Sequence, residues 1–362
     1  MNITISERYT VHSSHQECSR VSAEDLNASH FLKEYMIPQR PVVITEAFSA
    51  PPLEQIYNIL QAHRHTRVGA KLSPNEDFEG IEELSAWQGG EAQRVPPHVL
   101  SRLQSPDLLV VRNAHKELTV QEVLAMLAAR GRNKEYNQSA TNVYVEYLDM
   151  LHDPQLHQLY TDNSDLIIQS HAGAEAGEVK PMLWLGDGRT VGKLHFDPFD
   201  NILYQVQGKK RFRLSDPERN ERFYEGHMRE AILEATAAAC DPLRPHRYIF
   251  RKQRLLESTS MVHSPVDISL PLHKHYPLAN SVQYMDCEVG PGEALFVPSY
   301  WWHEVASQPS EEAIHDISLN LAINFWFEPL YSKSFPCASC RKKLNVRQYE
   351  DVLNAAAARG LL

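Results

Sequence analysis

The sequence predicts a mainly β fold, a sandwich or barrel flanked by helices, and three observations carry that prediction. From about residue 141 onward, short apolar runs recur at close spacing: TNVYVEYL, PMLWLGDG, KLHFD, NILYQVQG, KKRFRLSD, SVQYMDCEV, EALFVPS, HEVAS and SLNLAINFWFE. Glycine and proline punctuate these runs, as turns between strands require. Apolar residues at helical spacing are confined to the two ends and to one segment in the middle.

Taken in order, residues 1 to about 140 form an α/β flanking region that extends one sheet. ASHFLKEYMIPQRPVVITEAF reads as a short helix, a proline-ended turn and a buried strand around Val42 to Thr45. ELTVQEVLAMLAARGR has helical spacing and a glycine stop at Gly131. Residues 141 to 330 make the β unit. Within it, residues 217 to 280 break the rhythm with EGHMREAILEATAAAC, rich in helix formers, and with a Pro- and His-rich stretch ending SLPLHKHYPLAN. That segment reads as a helical insertion between strands. Residues 331 to 362 form a tail with a helix from about Arg347 to Arg359, placed to pack on the barrel or on a second subunit.

Composition narrows the function classes. The chain has 362 residues, enough for a sizeable core, and 43% apolar with 23% charged residues is ordinary for a globular protein. No uncharged run is long enough to span a bilayer, so a membrane is not expected as a partner. The N-terminus lacks a basic stretch followed by an apolar one, which places the expected site of action in the cytoplasm or nucleus. Five cysteines, an odd number in a long chain, predict buried thiols in a reducing compartment rather than a disulfide framework. A net charge of −10 argues against non-specific nucleic-acid binding. Cys337 and Cys340 form a lone Cys-x-x-Cys, half of a zinc site that His273 and His275 would have to complete.

The chemistry is concentrated in VGKLHFDPFDNILYQVQGKKRFRLSDP. Residues two apart in a strand face the same way, so His195 and Asp197 offer an imidazole and a carboxylate side by side. Alone, such a pair is equally a satisfied polar couple. A second imidazole from a neighbouring strand would complete a two-histidine, one-carboxylate face that suits ferrous iron and leaves positions open. His303, in GEALFVPSYWWHEV, is the candidate. Trp301 and Trp302 before it are expected to pack and orient that segment. Glu304 is expected to face away by strand alternation, and Asp200 to be solvated.

LHFDPFDNILYQVQGKKRFRL, GEALFVPSYWWHEV and INFWFE together resemble the signature blocks of the JmjC, cupin-like Fe(II)/2-oxoglutarate oxygenases. The likeness is to the small hydroxylases of that family, among them factor inhibiting HIF and a tRNA wybutosine hydroxylase. It covers roughly residues 140 to 330. The resemblance implies a double-stranded β-helix, a jelly-roll of cupin type, with the N-terminal α/β extension, the helical insertion and the C-terminal helix around it.

It also implies roles. His195, Asp197 and His303 become the iron ligands, and Lys210 the residue that anchors the distal carboxylate of 2-oxoglutarate. The side-chain reading agrees, because a buried ammonium needs an anionic partner; Lys209 should then point outward. Asn201 and Asn324 fall where the family places amides near the metal-bound end of the cosubstrate. Tyr144 matches a tyrosine on the distal carboxylate, with Tyr147 as its competitor. One departure stands out: relatives often carry Ser or Thr three before the first histidine, where this chain has Gly192, with Thr190 two further back. The implied cofactors are Fe(II), 2-oxoglutarate and O2. The implied activity is hydroxylation of a protein side chain, or N-methyl-lysine demethylation by the same chemistry, with succinate and CO2 as co-products. A tRNA nucleoside hydroxylase and a catalytically silent scaffold are the alternatives. The family further suggests a homodimer through the C-terminal helix.

Overall fold

A computed structural model describes residues 16–87, 97–132, 141–149, 181–238, 247–269, 274–333, 342–358 and 360. Eight strands build a barrel of two opposed antiparallel sheets: β1 (Pro181–Gly186), β2 (Val191–His195), β3 (Asp200–Gln207), β4 (Lys209–Ser215), β5 (Met285–Val289), β6 (Glu293–Val297), β7 (Trp302–Gln308) and β8 (Asn320–Phe327). One sheet runs β6-β3-β8-β1 and the other β5-β4-β7-β2. Successive strands alternate between the sheets in the jelly-roll manner, crossing by tight turns at β3–β4 and β5–β6; the exception is β4 and β5, which are joined through the long insertion and pair within one sheet. Gly208 makes the first of these turns at φ +67, where an added Cβ would lie 2.7 Å from the Gln308 carbonyl.

The N-terminal region widens the first sheet on both edges. Asn142–Asp149, Arg67–Ser73 and Ala114–Thr119 continue it beyond β1, and Val42–Thr45 with Arg20–Ser22 continue it beyond β6. Strand β3 is therefore buried on both faces over seven of its eight residues, and it reads as a continuous apolar run rather than an alternating one. Leu203 points between the sheets with Phe212, Val289 and Leu295, whereas Ile202 and Tyr204 join the larger core beneath the helices. Helix Leu53–Ala62 contributes Leu53, Ile56, Ile59 and Leu60 to that core. Helix Val120–Arg132 runs one residue past Gly131 and starts on a capping box: Glu122 N–H donates to Thr119 Oγ1, and the Thr119 N–H donates back to the Glu122 carboxylate. The last helix, Val346–Ala358, buries Val352 and Ala356 against the same core. Its apolar face thus closes on its own chain.

Two sequence expectations are corrected. The segment that reads as a helical insertion is a long hairpin, Gly226–Ala237 paired with Tyr248–His263, with short 3₁₀ segments at Pro217–Phe223, kinked at Arg219, and at Pro277–Ser281. Burial alternates along GHMREAILEATA and changes phase at Glu230–Ala231, beside the register shift after Arg229. Pairing on both sides, to Tyr248–His263 and to Leu108–Arg112, outweighs the helix preference of Ala, Glu and Leu. With Gly80–Glu83 these strands form a separate four-stranded sheet.

The second correction concerns the thiols: Cys18 and Cys287 form a disulfide. Gln16–Glu17 pairs with β5, Glu17 opposite Asp286, so the next residue of the chain arrives beside Cys287. A separation of 269 residues gives no such hint. The cysteine count accordingly loses its force as an argument for a reducing compartment. Cys337, Cys340 and His273 lie outside the described residues. No helix among the described residues is long and apolar enough to cross a membrane.

Candidate metal and cosubstrate site

His195 closes β2 and stands directly opposite His303, the second residue of β7. The two rings lie 4.3 Å apart between centroids. Asp197 follows in the turn after β2, and its carbonyl accepts the Tyr300 N–H at 2.7 Å. Tyr300 holds φ at +67, a strained value for a residue with a Cβ, so this turn is fixed from the β7 side. One ligand atom from each of His195, Asp197 and His303 falls within 4.8 Å of the others.

The imidazoles are set in one tautomer by the backbone. His195 Nδ1 lies 2.6 Å from the Lys193 carbonyl and His303 Nδ1 2.8 Å from the Trp301 carbonyl. A carbonyl only accepts, so each Nδ1 carries the proton and each Nε2 turns a lone pair toward Asp197. The Nε2 atoms sit 4.0 and 3.4 Å from Asp197 Oδ2. Burial and the neighbouring His303 hold His195 below the usual imidazole range. Burial pushes the Asp197 carboxyl up, but the two imidazoles beside it, His303 foremost, outweigh burial and hold it below the usual carboxylate range. Two neutral nitrogens and one carboxylate converging on a point fit a divalent metal, and this donor set with the backbone orienting both rings suits iron.

The rest of the site lies one barrel turn deeper. Lys210 on β4 is 2% exposed, and its Nζ donates to Tyr144 Oη at 3.1 Å and Ser307 Oγ at 2.9 Å. Burial pushes this ammonium down to about 7, against a smaller opposing pull from Glu146. No carboxylate bonds it among the described residues, so an incoming dianion would meet an ammonium already desolvated and held by two hydroxyls. Lys209 points outward, 40% exposed, toward Glu311. Tyr144 reaches Lys210, packed between Phe78 and Trp184, while the side chain of Tyr147 lies outside the described residues. Gly186 makes room for that ring, since a Cβ there would lie 2.8 Å from Tyr144 Cδ2.

Asn324 Oδ1 accepts the Trp184 indole N–H at 2.7 Å, and Asn201 stands opposite Trp326 across β3 and β8. Tyr144, His195, Asp197, Asn201, Lys210, His303 and Asn324 all line one cavity of about 420 Å³. Sequence reading passed over Ser307, although it lies four after His303 on the same strand and so faces the same way. Thr190 Oγ1 donates to Ser307 Oγ at 3.0 Å, and that hydroxyl pair stands in the cavity wall where Gly192 offers none.

Supporting residues differ from expectation in one respect. Trp302 is fully buried, donates from Nε1 to Asn220 at 2.6 Å and meets Phe196 edge-on, as an orienting residue should. Glu304 turns away from the cavity toward Lys193. Asp200, expected in solvent, is buried instead: it accepts the Ser299 N–H at 2.7 Å, and burial pushes it up to about 6. It ties the start of β3 to the turn that leads into His303.

A second set of charges, invisible in the motifs, reaches the cavity wall: Lys71, Glu79, Arg112 and Glu146 line it, and Glu230 stands behind them. Glu79 Oε1 receives Lys71 at 3.1 Å and Arg112 at 3.2 Å. Lys71 also reaches Glu146 at 2.7 Å, and Arg112 reaches Glu230 at 2.7 Å. These five residues come from five separate strands or turns, which is why no spacing in the sequence announces them.

A cupin-like domain matches residues 28–333. Among named proteins, the chain is similar to lysine-specific demethylase JMJ30 of Arabidopsis thaliana, 24% identical over 86% of this chain and 55% of that protein. It is 23% identical to JmjC domain-containing protein E of Dictyostelium discoideum, over 86% of this chain and 84% of the other. It is 22% identical to the human bifunctional peptidase and (3S)-lysyl hydroxylase JMJD7, over 84% and 83%. Other relatives are matched only in part, the chain spanning 28% of JmjC domain-containing protein F and 26% of a frog lysine-specific demethylase 8. With the two-sheet barrel, the His-Asp-His cluster and a match across most of its length, the chain belongs to the cupin-like JmjC family.

Proposed function

We propose that the protein is an Fe(II)/2-oxoglutarate-dependent oxygenase that hydroxylates a side chain of a protein substrate. The observation that carries this reading is the convergence of two imidazole Nε2 atoms and the Asp197 carboxylate beside a buried lysine that no carboxylate bonds among the described residues. Bound iron would supply the oxidising chemistry, converting R–H, O2 and 2-oxoglutarate into R–OH, succinate and CO2. The chain's part is placement. His195, Asp197 and His303 would occupy one face of the metal and leave the other open. Lys210, Tyr144 and Ser307 would bind the far carboxylate, and the cavity walls would exclude water.

Removal of an N-methyl group needs the same hydroxylation at a different carbon, so the ligand set serves both. Intact His195, Asp197, His303 and Lys210 speak against a silent scaffold. The test is to load the protein with Fe(II) under nitrogen, admit oxygen, and measure succinate from 2-oxoglutarate with and without a pool of cell-extract peptides. Peptide-stimulated succinate supports the reading; iron bound in stoichiometric amount with no succinate in either case counts against it.

Lys210 adds a pH signature. The dianion binds the protonated lysine, and without ligand that lysine loses its proton near pH 7. The dissociation constant of 2-oxoglutarate for the Mn(II)-loaded protein is therefore expected to be level below about pH 7 and to rise by up to about tenfold per unit above it. Titration calorimetry across that range checks it, and Lys210→Arg should flatten the curve.

A further inference from the structure

We propose that the buried Lys333–Glu225 pair positions the metal ligands: the Lys333 ammonium holds the rings of Phe196 and Tyr300, and those two residues fix the turn that brings Asp197 to His195 and His303. The proposal rests on the reading of that cluster as a metal site. It adds two positioning residues, neither of which lines the cavity.

Asp197 needs such support. Strand β2 ends at His195, so ladder pairing orients the first ligand but not the second, two residues further on. Phe196 and Asp197 both line the cavity and are only half-buried. Their turn is held by the Tyr300 N–H, which donates to the Asp197 carbonyl at 2.7 Å, and by the Phe196 ring, which stands edge-on to Trp302 at 4.8 Å and lies 6.2 Å from the ring of Tyr300. The turn is therefore as well fixed as those two rings.

Lys333 reaches both. Its Nζ lies 4.6 Å from the centroid of Phe196 and 5.8 Å from that of Tyr300, close enough for a cation to be drawn to each aromatic face. Its backbone N–H donates to the Tyr300 hydroxyl. Glu225, the residue before the Gly226–Ala237 strand, stands 3.0 Å from the ammonium and holds it in place. One side chain thus supports the residue before Asp197 and the residue hydrogen-bonded to it.

Stability does not account for the pair. Both side chains are fully buried, and burial pushes the Glu225 carboxyl up even against the pull of Lys333. Charges desolvated in this way gain little over apolar residues of the same volume, whereas an ammonium fixes the orientation of the rings it faces, which methyl groups do not. The backbone carries the same sign of use. Tyr300 keeps φ at +67, a value glycine would adopt without strain, and the ring retained there is one of the two that Lys333 faces.

The test compares the full chain with two variants: Lys333→Met with Glu225→Gln, which removes both charges and keeps most of the volume, and Phe196→Leu, which leaves the pair and removes the ring. Titration calorimetry gives Mn(II) affinity, high-field EPR reports the surroundings of the bound ion, and metal-free melts report the fold. Each variant should bind Mn(II) at least about tenfold more weakly and broaden its spectrum, while the metal-free melt of the charge-free variant stays near that of the unaltered protein. All three substitutions together should lose less than the product of the two separate losses, because the ammonium acts through the ring. Mn(II) affinity unchanged in a folded charge-free variant, or losses that multiply in full, would overturn the proposal. If the charge-free variant does not fold, Phe196→Leu decides alone: a tenfold weaker Mn(II) affinity supports the proposal and an unchanged one overturns it. Absence of Mn(II) binding in the unaltered protein would instead remove the metal-site reading, and this proposal with it.

Discussion

In a His195→Ala variant, turnover of 2-oxoglutarate to succinate is expected to fall at least about a thousandfold, equivalent to some 4 kcal/mol or more of activation free energy, while the fold persists. His195 ends a strand whose pairing with β7 uses backbone groups, and its side chain is 31% exposed to the cavity, so truncation leaves no void in the core. What it removes is one of three convergent ligand atoms and the ring that faces His303 at 4.3 Å. Loss of metal affinity should therefore accompany loss of turnover, with the melting temperature of the metal-free protein nearly unchanged. Retained turnover in this variant would sink the metal assignment.

The largest effect on stability is expected far from any motif. Lys333, just after the Tyr331–Ser332 strand, pairs with Glu225 at 3.0 Å, and both side chains are fully buried. The Lys333 ammonium also lies 4.6 Å above the ring of Phe196, the residue between His195 and Asp197. Removing one member of such a pair strands the other charge without water. Lys333→Met is therefore expected to destabilise the protein by about 3–5 kcal/mol, whereas Lys333→Met with Glu225→Gln should recover most of that loss. In thermal melts the single variant should drop by about 4–7 °C. Equal losses in the single and double variants would show that the pair's charges do not matter and that packing alone does.

The barrel was legible because its strands carry their own signal. Runs such as NILYQVQ and EALFV are buried on both faces or alternate cleanly, and glycines and prolines mark their ends. His195 and Asp197 were legible as a pair two apart on one chain segment, although β2 ends at His195 and the turn after it, not strand alternation, carries Asp197 to the site. The hairpin at 226–237 was not, because its composition favours a helix and its pairing partners, Leu108–Arg112 and Tyr248–His263, decide the matter from a distance. Glu79, Lys71, Arg112, Glu146 and Glu230 show the same limit at the site itself. Their meeting is a product of sheet order, and a side chain whose partner arrives from another strand leaves no mark in local spacing. Asp200 was misjudged on the same ground, since Ser299, which buries and bonds it, is 99 residues away.

The Cys18–Cys287 bond divides the molecule in a way the sheets do not. It closes residues 18 to 287 into a covalent ring that contains His195, Asp197 and Lys210, and leaves His303 and Asn324 on the linear segment beyond it. A protease cut anywhere inside the ring opens it without releasing a fragment, so limited digestion should leave one species of full mass until a reductant is added. The two histidines of the site lie on either side of that closure, and the pairing of β2 and β4 with β7 brings them to a common centre.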